Sequence, residues 1–196
     1  MNKQEYTSLI TEHYFSICQD KVVIEIGPLG GEHSKIISKY SKQLILIEPD
    51  KNQTEDLKII SGVTDVIVDD VNFVLQQQLL ADVVICCGVL YHLHSPLHLL
   101  ELIANNCDPH YIILDSVNQY VNSPDYVPYN DEELNIKGDR FTRSNWKAIG
   151  LNQSAPYEII NKAMDHLGYR LLQKDEISLL EWYAKSKSWL AIWEKK

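Results

Sequence analysis

The run VVIEIGPLGGEHSKIISKYSKQLILIE, residues 22–48, constrains the fold of this chain more than any other stretch. Its pattern indicates a strand, a glycine turn, a helix and a second strand that ends in an acid. Apolar runs rich in β-branched residues are typical of strands buried on both faces of a parallel sheet. A glycine turn between such a strand and a helix is a common place for a nucleotide-like ligand. The stretch therefore predicts a βαβ unit with a ligand at its turn.

The alternation of strand and helix continues along the chain. Further strands are expected at 63–68, 82–87 and 110–115, and helices at about 31–40, 50–60, 71–80, from Ser95 onward and from 154 to 167. Asp50 is predicted to cap its helix with Gln53 in a partial capping box, and Ser95 to cap the helix that Pro96 begins. Such alternation requires a mostly parallel sheet with helices on both faces. Residues 169–174 and 188–193 have no helix between them, so we expect an antiparallel hairpin at one edge of a seven-stranded α/β sheet.

The 196 residues are expected to form a single domain. Residues 1–20 are predicted to contain an N-terminal helix at about 4–18, whose Tyr6, His13 and Tyr14 either pack on the sheet or touch a ligand. Residues 116–153 break the alternation and contain prolines, glycines and aromatic residues, so we expect a lid-like insertion.

The composition limits the partners and the compartment. The formal net charge of −9 disfavours generic nucleic-acid binding. The four cysteines lack metal-ligand spacing and two are adjacent in an apolar run, so we expect reduced thiols, a cytoplasmic protein and no metal site. No apolar signal core or membrane-spanning run is present in the sequence.

The glycine turn favours one class of ligand over another. A dinucleotide fingerprint placed on Gly27 would need glycine at positions 29 and 32, which are Leu29 and Glu32. S-adenosylmethionine (SAM) carries no phosphate, and its ammonium and carboxylate suit Glu25 and the glycine amides. Glu48, at the end of the next strand, can accept both ribose hydroxyls. A turn that binds nothing is the alternative.

The third strand also ends in acids. Asp69 and Asp70 follow it, and either could accept a hydrogen bond from the adenine amino group, with Asp70 preferred. A helix cap is the competing role for Asp70, and both roles can hold together.

Three segments together resemble a known family: EIGPLGG, IEPD and DVVICCGVLYHLHSPLHLL. They resemble the class I SAM-dependent methyltransferases, whose Rossmann-like sheet has seven strands with the last one antiparallel. GVLYHL followed by SPL is similar to the subgroup that contains the bacterial tRNA wobble-uridine carboxymethyltransferase and its small-molecule relatives. The resemblance covers roughly residues 20–115. Pro28 and Leu29 depart from the family's commoner small residue and glycine.

The resemblance implies a set of cofactor-binding residues. The methionine part would lie at the glycine turn, the ribose at Glu48, the adenine at Asp70 and the sulfonium near residues 88–91. The predicted cofactor-binding residues are Glu25, Gly27, Pro28, Gly30, Gly31, Glu48, Asp69, Asp70, Gly88 and Leu90.

Methyl transfer needs a base only if the acceptor must lose a proton. His92 and Tyr91 are the first candidates for a catalytic role, and Asp115 at the end of the fifth strand is the next. A structural hydrogen bond is the alternative for His92. Cys87 is predicted to pack in the core rather than to act as a nucleophile.

We expect an enzyme that methylates oxygen or nitrogen of a small molecule. The alternatives are an RNA-modifying methyltransferase, a SAM-binding protein without catalysis and a nicotinamide-dependent oxidoreductase. The aromatic residues of segment 120–146 could line the acceptor pocket or pack a long loop. A homodimer is left open, and neither nucleic acid nor a membrane is an expected partner.

Overall fold

The computed structural model describes residues 8–90, 93, 95–119, 157–177 and 187–196. Their strands form one seven-stranded sheet in the order β3-β2-β1-β4-β5-β7-β6. The strands are β1 (Val22–Ile26), β2 (Gln43–Ile47), β3 (Asp65–Ile67), β4 (Val83–Cys86), β5 (Tyr111–Gln119), β6 (Tyr169–Ile177) and β7 (Lys187–Lys195).

Short helices follow most of the strands. They are α1 (Ser34–Ile37), α2 (Lys51–Lys58), α3 (Val71–Val74), α4 (Pro96–Leu102), which continues as a π-helical turn (Ile103–Cys107), and α5 (Tyr157–His166). A helical segment made of a π turn (Ile10–Tyr14) and a 3-10 turn (Phe15–Cys18) precedes β1. Among the described residues, no helix is long and apolar enough to cross a membrane.

The pairing of the strands confirms the predicted α/β sheet with an antiparallel edge. β1 pairs in parallel with β2 and β4, β2 with β3, and β4 with β5. β7 runs antiparallel between β5 and β6. Because β4 and β5 share a direction with β1, their carboxyl ends meet at one edge of the sheet, where ligands of such sheets bind.

Helices cover both faces of the sheet, as predicted. On one face, Tyr14, Phe15, Ile37 and Leu57 come from the N-terminal helical segment, α1 and α2. The other face is covered by α3, α4 and α5, through buried side chains that include Val71, Leu99, Leu100, Ile160 and Met164. β7 contributes Leu190 and Ile192 to the first face and Trp189 and Trp193 to the second. The sheet is therefore buried on both sides, which explains why its strands are almost continuously apolar.

Several predicted boundaries are wrong. The helix expected at 31–40 is shorter: it begins only at Ser34, since the positive φ of Gly31 keeps that residue out of the helical conformation, and it ends at Ile37. The helix expected at 71–80 ends at Val74, and the Leu75 carbonyl accepts a hydrogen bond from Asn106 (2.6 Å). The last three strands are longer than predicted because β7 pairs on both of its sides.

The predicted caps have mixed outcomes. Asp50 caps α2, but the Asp50 amide donates to Glu48, so the expected capping box with Gln53 is wrong. Pro96 begins α4 as expected, whereas Ser95 makes no capping hydrogen bond through its side chain. The predicted insertion begins inside β5, and its part from residue 120 onward lies outside the described residues.

Candidate cofactor site

The glycine turn after β1 has an unusual backbone. Gly27, Leu29 and Gly31 have φ values of +68°, +50° and +71°. Leucine in this conformation costs roughly 1–2 kcal/mol, whereas glycine adopts it freely. The turn therefore keeps a left-handed residue at position 29 although leucine stands where the family's commoner residue is glycine.

The three glycines of the turn face different surroundings. A Cβ atom at Gly27 would lie 2.5 Å from Val89 Cγ2, and one at Gly31 would lie 2.5 Å from Ile60 Cδ1. Gly30 is exposed, and no atom of the described residues lies within 4 Å of its added Cβ position. Gly27 and Gly31 thus permit close packing within the protein, while Gly30 borders open space that a ligand can enter. Pro28 is buried, and its carbonyl accepts the Gly31 amide at 2.9 Å.

Glu25 lies near the end of β1, just before the glycine turn, and its carboxyl is buried. Only 3% of the residue is exposed, and Ser34 Oγ donates a hydrogen bond of 2.6 Å to Glu25 Oε2. Burial raises the pKa of Glu25 to about 7; the Ser34 hydrogen bond opposes this shift and nearby Glu48 adds to it. Glu25 therefore changes its charge near neutral pH and would be stabilised as an anion by a neighbouring cation.

Glu48 joins the end of β2 to the glycine turn. Its Oε2 accepts the Leu29 amide at 3.1 Å and its Oε1 accepts the Asp50 amide at 2.9 Å. Burial raises the pKa of the Glu48 carboxyl, and these two main-chain hydrogen bonds oppose the shift. The structure thus brings Glu25, Glu48 and the turn together at the carboxyl ends of neighbouring strands.

Asp70 and Asp69 lie at the next strand end. Asp70 caps α3 by accepting the Asn72 amide at 2.8 Å, so the capping role predicted for it is confirmed. Asp69 is exposed and accepts the Asp70 amide at 2.7 Å. Contact with adenine stays a prediction for both.

The turn after β4 contains the remaining predicted residues. Gly88 has a φ of +76°, and its amide donates to Asp115 Oδ1. The Leu90 side chain is fully buried in the core, so any cofactor contact of Leu90 belongs to its main chain. Tyr91 and His92 lie outside the described residues.

The cysteines and Tyr14 pack within the protein. Burial, followed by the charge of Asp115, raises the pKa of the Cys86 and Cys87 thiols, which disfavours a thiolate nucleophile at this strand end. The buried Tyr14 hydroxyl donates to Asp175 Oδ2 at 2.5 Å. The structure describes the main chain of His13 but not its side chain, and Tyr6 lies outside the described residues. No group of metal-ligating side chains occurs in the part of the chain that the structure describes.

Two neighbours of the site were missed by sequence reasoning. Ser34 contacts Glu25 across a turn whose left-handed residues a sequence pattern does not reveal. Val89 covers Gly27 from another strand end. A sequence signal for Val89 was available, because it lies within the β4 exit turn already assigned to the site.

Comparison with known proteins identifies the family that the chain matches. A family described as a methyltransferase domain matches residues 3–174. No curated protein matches the chain.

Solved structures of low sequence identity share the fold. Magnesium protoporphyrin IX methyltransferase from Synechocystis PCC 6803 with bound SAH is 13% identical, with a TM-score of 0.65 over 98% of this chain and 81% of that chain. The N-methyltransferase NodS from Bradyrhizobium japonicum WM9 is 14% identical, with a TM-score of 0.63 over 98% and 95%. The small RNA methyltransferase HEN1 is 13% identical, with a TM-score of 0.64 over 98% of this chain and 25% of that chain.

The family match extends from the N-terminal helical segment into β6 and includes every strand end of the candidate site. The predicted class of enzyme, a SAM-dependent methyltransferase of the class I fold, is confirmed, and the chain belongs to the methyltransferase domain family.

Proposed function

We propose that this protein transfers the methyl group of SAM to oxygen or nitrogen of a small-molecule acceptor. The observation that carries the proposal is the pair of buried carboxyls, Glu25 and Glu48, at neighbouring strand ends on either side of the glycine turn. A buried carboxyl without a cationic partner is costly to ionise. The ammonium of SAM supplies such a partner for Glu25.

Each part of SAM has residues that suit it. Glu25 would hold the ammonium, Glu48 the ribose hydroxyls and Asp70 the adenine amino group. The main chain of residues 27–31 would lie along the methionine part, with Gly30 bordering the open space. The main chain of residues 88–90 would lie near the sulfonium, whose electrophilic methyl group is the chemistry that SAM supplies.

The protein's part in the reaction is mainly alignment. Holding acceptor and methyl donor in line supplies much of the rate of such a displacement. If the acceptor is a hydroxyl or a protonated amine, a base must remove a proton, and His92 and Tyr91 are our candidates. A base role for Asp115 is less favoured, since its carboxylate already accepts the Gly88 amide.

Charge favours a small molecule over RNA. The chain has 27 acidic and 18 basic residues, and Asp69 is an exposed acid beside the site. Negative charge repels phosphate groups. Among the solved structures of this fold, NodS is named an N-methyltransferase and a second acts on magnesium protoporphyrin IX, but HEN1 acts on RNA. We infer a small-molecule acceptor. We also propose that the chain belongs to the subgroup that its GVLYHL segment resembles.

A two-step experiment tests the proposal. Calorimetry should show that SAM and S-adenosylhomocysteine (SAH) bind and that NADH does not. The protein is then incubated with methyl-labelled SAM and a cell extract divided into a small-molecule fraction and an RNA fraction. Label in the small-molecule fraction supports the proposal. Label in RNA, or SAM binding without any transfer, would overturn the proposed acceptor class or the proposed catalysis.

A further inference from the structure

Asp115 lies just beyond the point where the parallel pairing between β4 and β5 ends. The last parallel pair between β4 and β5 joins Cys86 to Leu114. β5 continues beyond it, and Asp115 still pairs with Leu190 of β7. The main chain of Asp115 is therefore held within the sheet, while its carboxyl lies beside the point where β4 leaves the sheet.

The Asp115 carboxyl accepts a hydrogen bond from Gly88, two residues after the end of β4. Gly88 donates its amide to Asp115 Oδ1, although the strand pairing between β4 and β5 has already ended. Gly88 has a φ of +76°, a backbone conformation that residues other than glycine rarely adopt. A charged acceptor gives a stronger hydrogen bond to an amide than a neutral one. Asp115 thus fixes the direction in which the chain leaves β4.

The next residue carries this constraint to the glycine turn. Val89 Cγ2 lies 2.5 Å from the position of a Cβ added at Gly27, so a Val89 methyl group packs against the bare glycine. The contacts run from Asp115 through Gly88 and Val89 to Gly27. They join the end of β5 to the turn at which SAM is proposed to bind.

We propose that Asp115 is a positioning residue for the methyl donor: it holds the β4 exit turn against Gly27 and so shapes one wall of the cofactor site. It does not remove the acceptor's proton. This inference rests on the proposed function, because it requires SAM to lie at the glycine turn.

Asp115→Ala and Asp115→Asn separate the two roles. Asparagine keeps an oxygen that accepts the Gly88 amide and loses the basicity. We expect calorimetry on the full chain to show SAM affinity about tenfold weaker for Asp115→Ala and within about threefold of the original for Asp115→Asn. In the extract assay at saturating SAM, Asp115→Asn should retain turnover.

Asp82 provides a matched control at the opposite end of β4. Its Oδ2 accepts the Val22 amide at 2.8 Å, so it makes the same kind of hydrogen bond far from the carboxyl edge. Asp82→Ala and Asp82→Asn should leave SAM affinity unchanged. Equal losses at Asp82 and Asp115 would reduce the effect to general stability and overturn the proposal.

Two other results would also overturn it. One is unchanged SAM affinity in Asp115→Ala. The other is an Asp115→Asn variant that binds SAM normally and has lost turnover, as a base would require. If the original chain fails to bind SAM at all, the proposed function itself is wrong, which distinguishes the two failures.

Val89→Ala tests the last contact and remains informative if Asp115→Ala does not fold. It removes the methyl groups that cover Gly27 and leaves the Asp115 hydrogen bond in place. We expect weaker SAM binding in Val89→Ala alone. Where Asp115→Ala folds, the double variant should lose less affinity than the two single losses combined. Unchanged affinity in Val89→Ala, or full additivity, would contradict the connection to Gly27.

Discussion

Gly30 and Gly27 differ in what a single added methyl group would meet. Gly30 has no described residue near its added Cβ position and no positive φ, whereas Gly27 has a φ of +68° and Val89 at 2.5 Å. A ligand bound at the turn would oppose a methyl group at Gly30, and no described side chain does. This difference separates a turn that binds SAM from a turn that only packs.

We therefore predict that Gly30→Ala leaves the free energy of unfolding nearly unchanged and weakens SAM binding. Gly27→Ala should lose SAM binding and about 1–3 kcal/mol of stability, because it adds backbone strain and overpacking. Denaturant titrations and calorimetry on both variants measure these effects. Normal SAM affinity in Gly30→Ala would count against a cofactor at this turn.

Glu48 leads to a second prediction at the residue scale. Its removal takes away the proposed ribose acceptor and the hydrogen bonds to Leu29 and Asp50. Glu48→Ala should weaken SAM binding by roughly 10-fold or more, since a hydrogen bond to a charged group contributes about 1.5–3 kcal/mol. Glu55→Ala, which removes an exposed acid paired with Lys58, serves as the control and should bind SAM normally.

At the scale of the element, α2 and α3 begin with the same Asp-x-Asn pattern. Asp50 accepts the Asn52 amide at 2.9 Å, and Asp70 accepts the Asn72 amide at 2.8 Å. In both pairs the asparagine Nδ2 also donates to the aspartate. The two caps are thus a matched pair, and only Asp70 is assigned to the adenine.

Asp50→Ala and Asp70→Ala should each lower the free energy of unfolding by about 1 kcal/mol, as the loss of an N-cap does. SAM affinity should fall in Asp70→Ala and remain in Asp50→Ala. Thermal melts and calorimetry check the two effects separately. If both variants lose stability and neither loses SAM affinity, Asp70 is only a helix cap and the proposed adenine contact is wrong.

These elements also show what the sequence could predict. Runs such as VVIEI and QLILI predict strands because strands buried on both faces of a sheet are almost continuously apolar. Asp50 was recognisable as a cap from its own side chain and position. The start of α1 and the length of β7 were not, since they depend on a left-handed residue in the turn and on partners distant in the chain.

For the whole molecule, the strand-end acids were predictable because every parallel strand brings its carboxyl end to the same edge. Glu25 and Glu48 were chosen on this ground, and the structure joins Glu48 to the Leu29 amide of the turn and Glu25 to Ser34 at the start of α1. The contacts of Ser34 and Asp115 were beyond the sequence pattern, since each depends on the path of a turn in three dimensions.

The Glu25 carboxyl links the stability of the molecule to cofactor binding and pH. Burial raises its pKa in the folded protein from 4.5 to about 7, so the folded state holds this proton more tightly than the unfolded chain does. The stabilisation from this group is complete below the unfolded pKa and is lost as the pH rises through the folded pKa. Above that pH the free protein carries a buried anion.

SAM reverses this dependence because its ammonium favours the ionised form of Glu25. We predict that SAM affinity rises as the pH increases from about 5 to 7 and levels off above the folded pKa, since the free protein has then already released the proton. Over the same range the melting temperature of the free protein should fall more than that of the SAM-saturated protein. Glu25→Gln, which cannot titrate, should bind SAM more weakly and lose most of this difference. If the melting temperatures of the free and SAM-saturated forms of the original chain changed equally with pH, the ammonium would not lie beside Glu25.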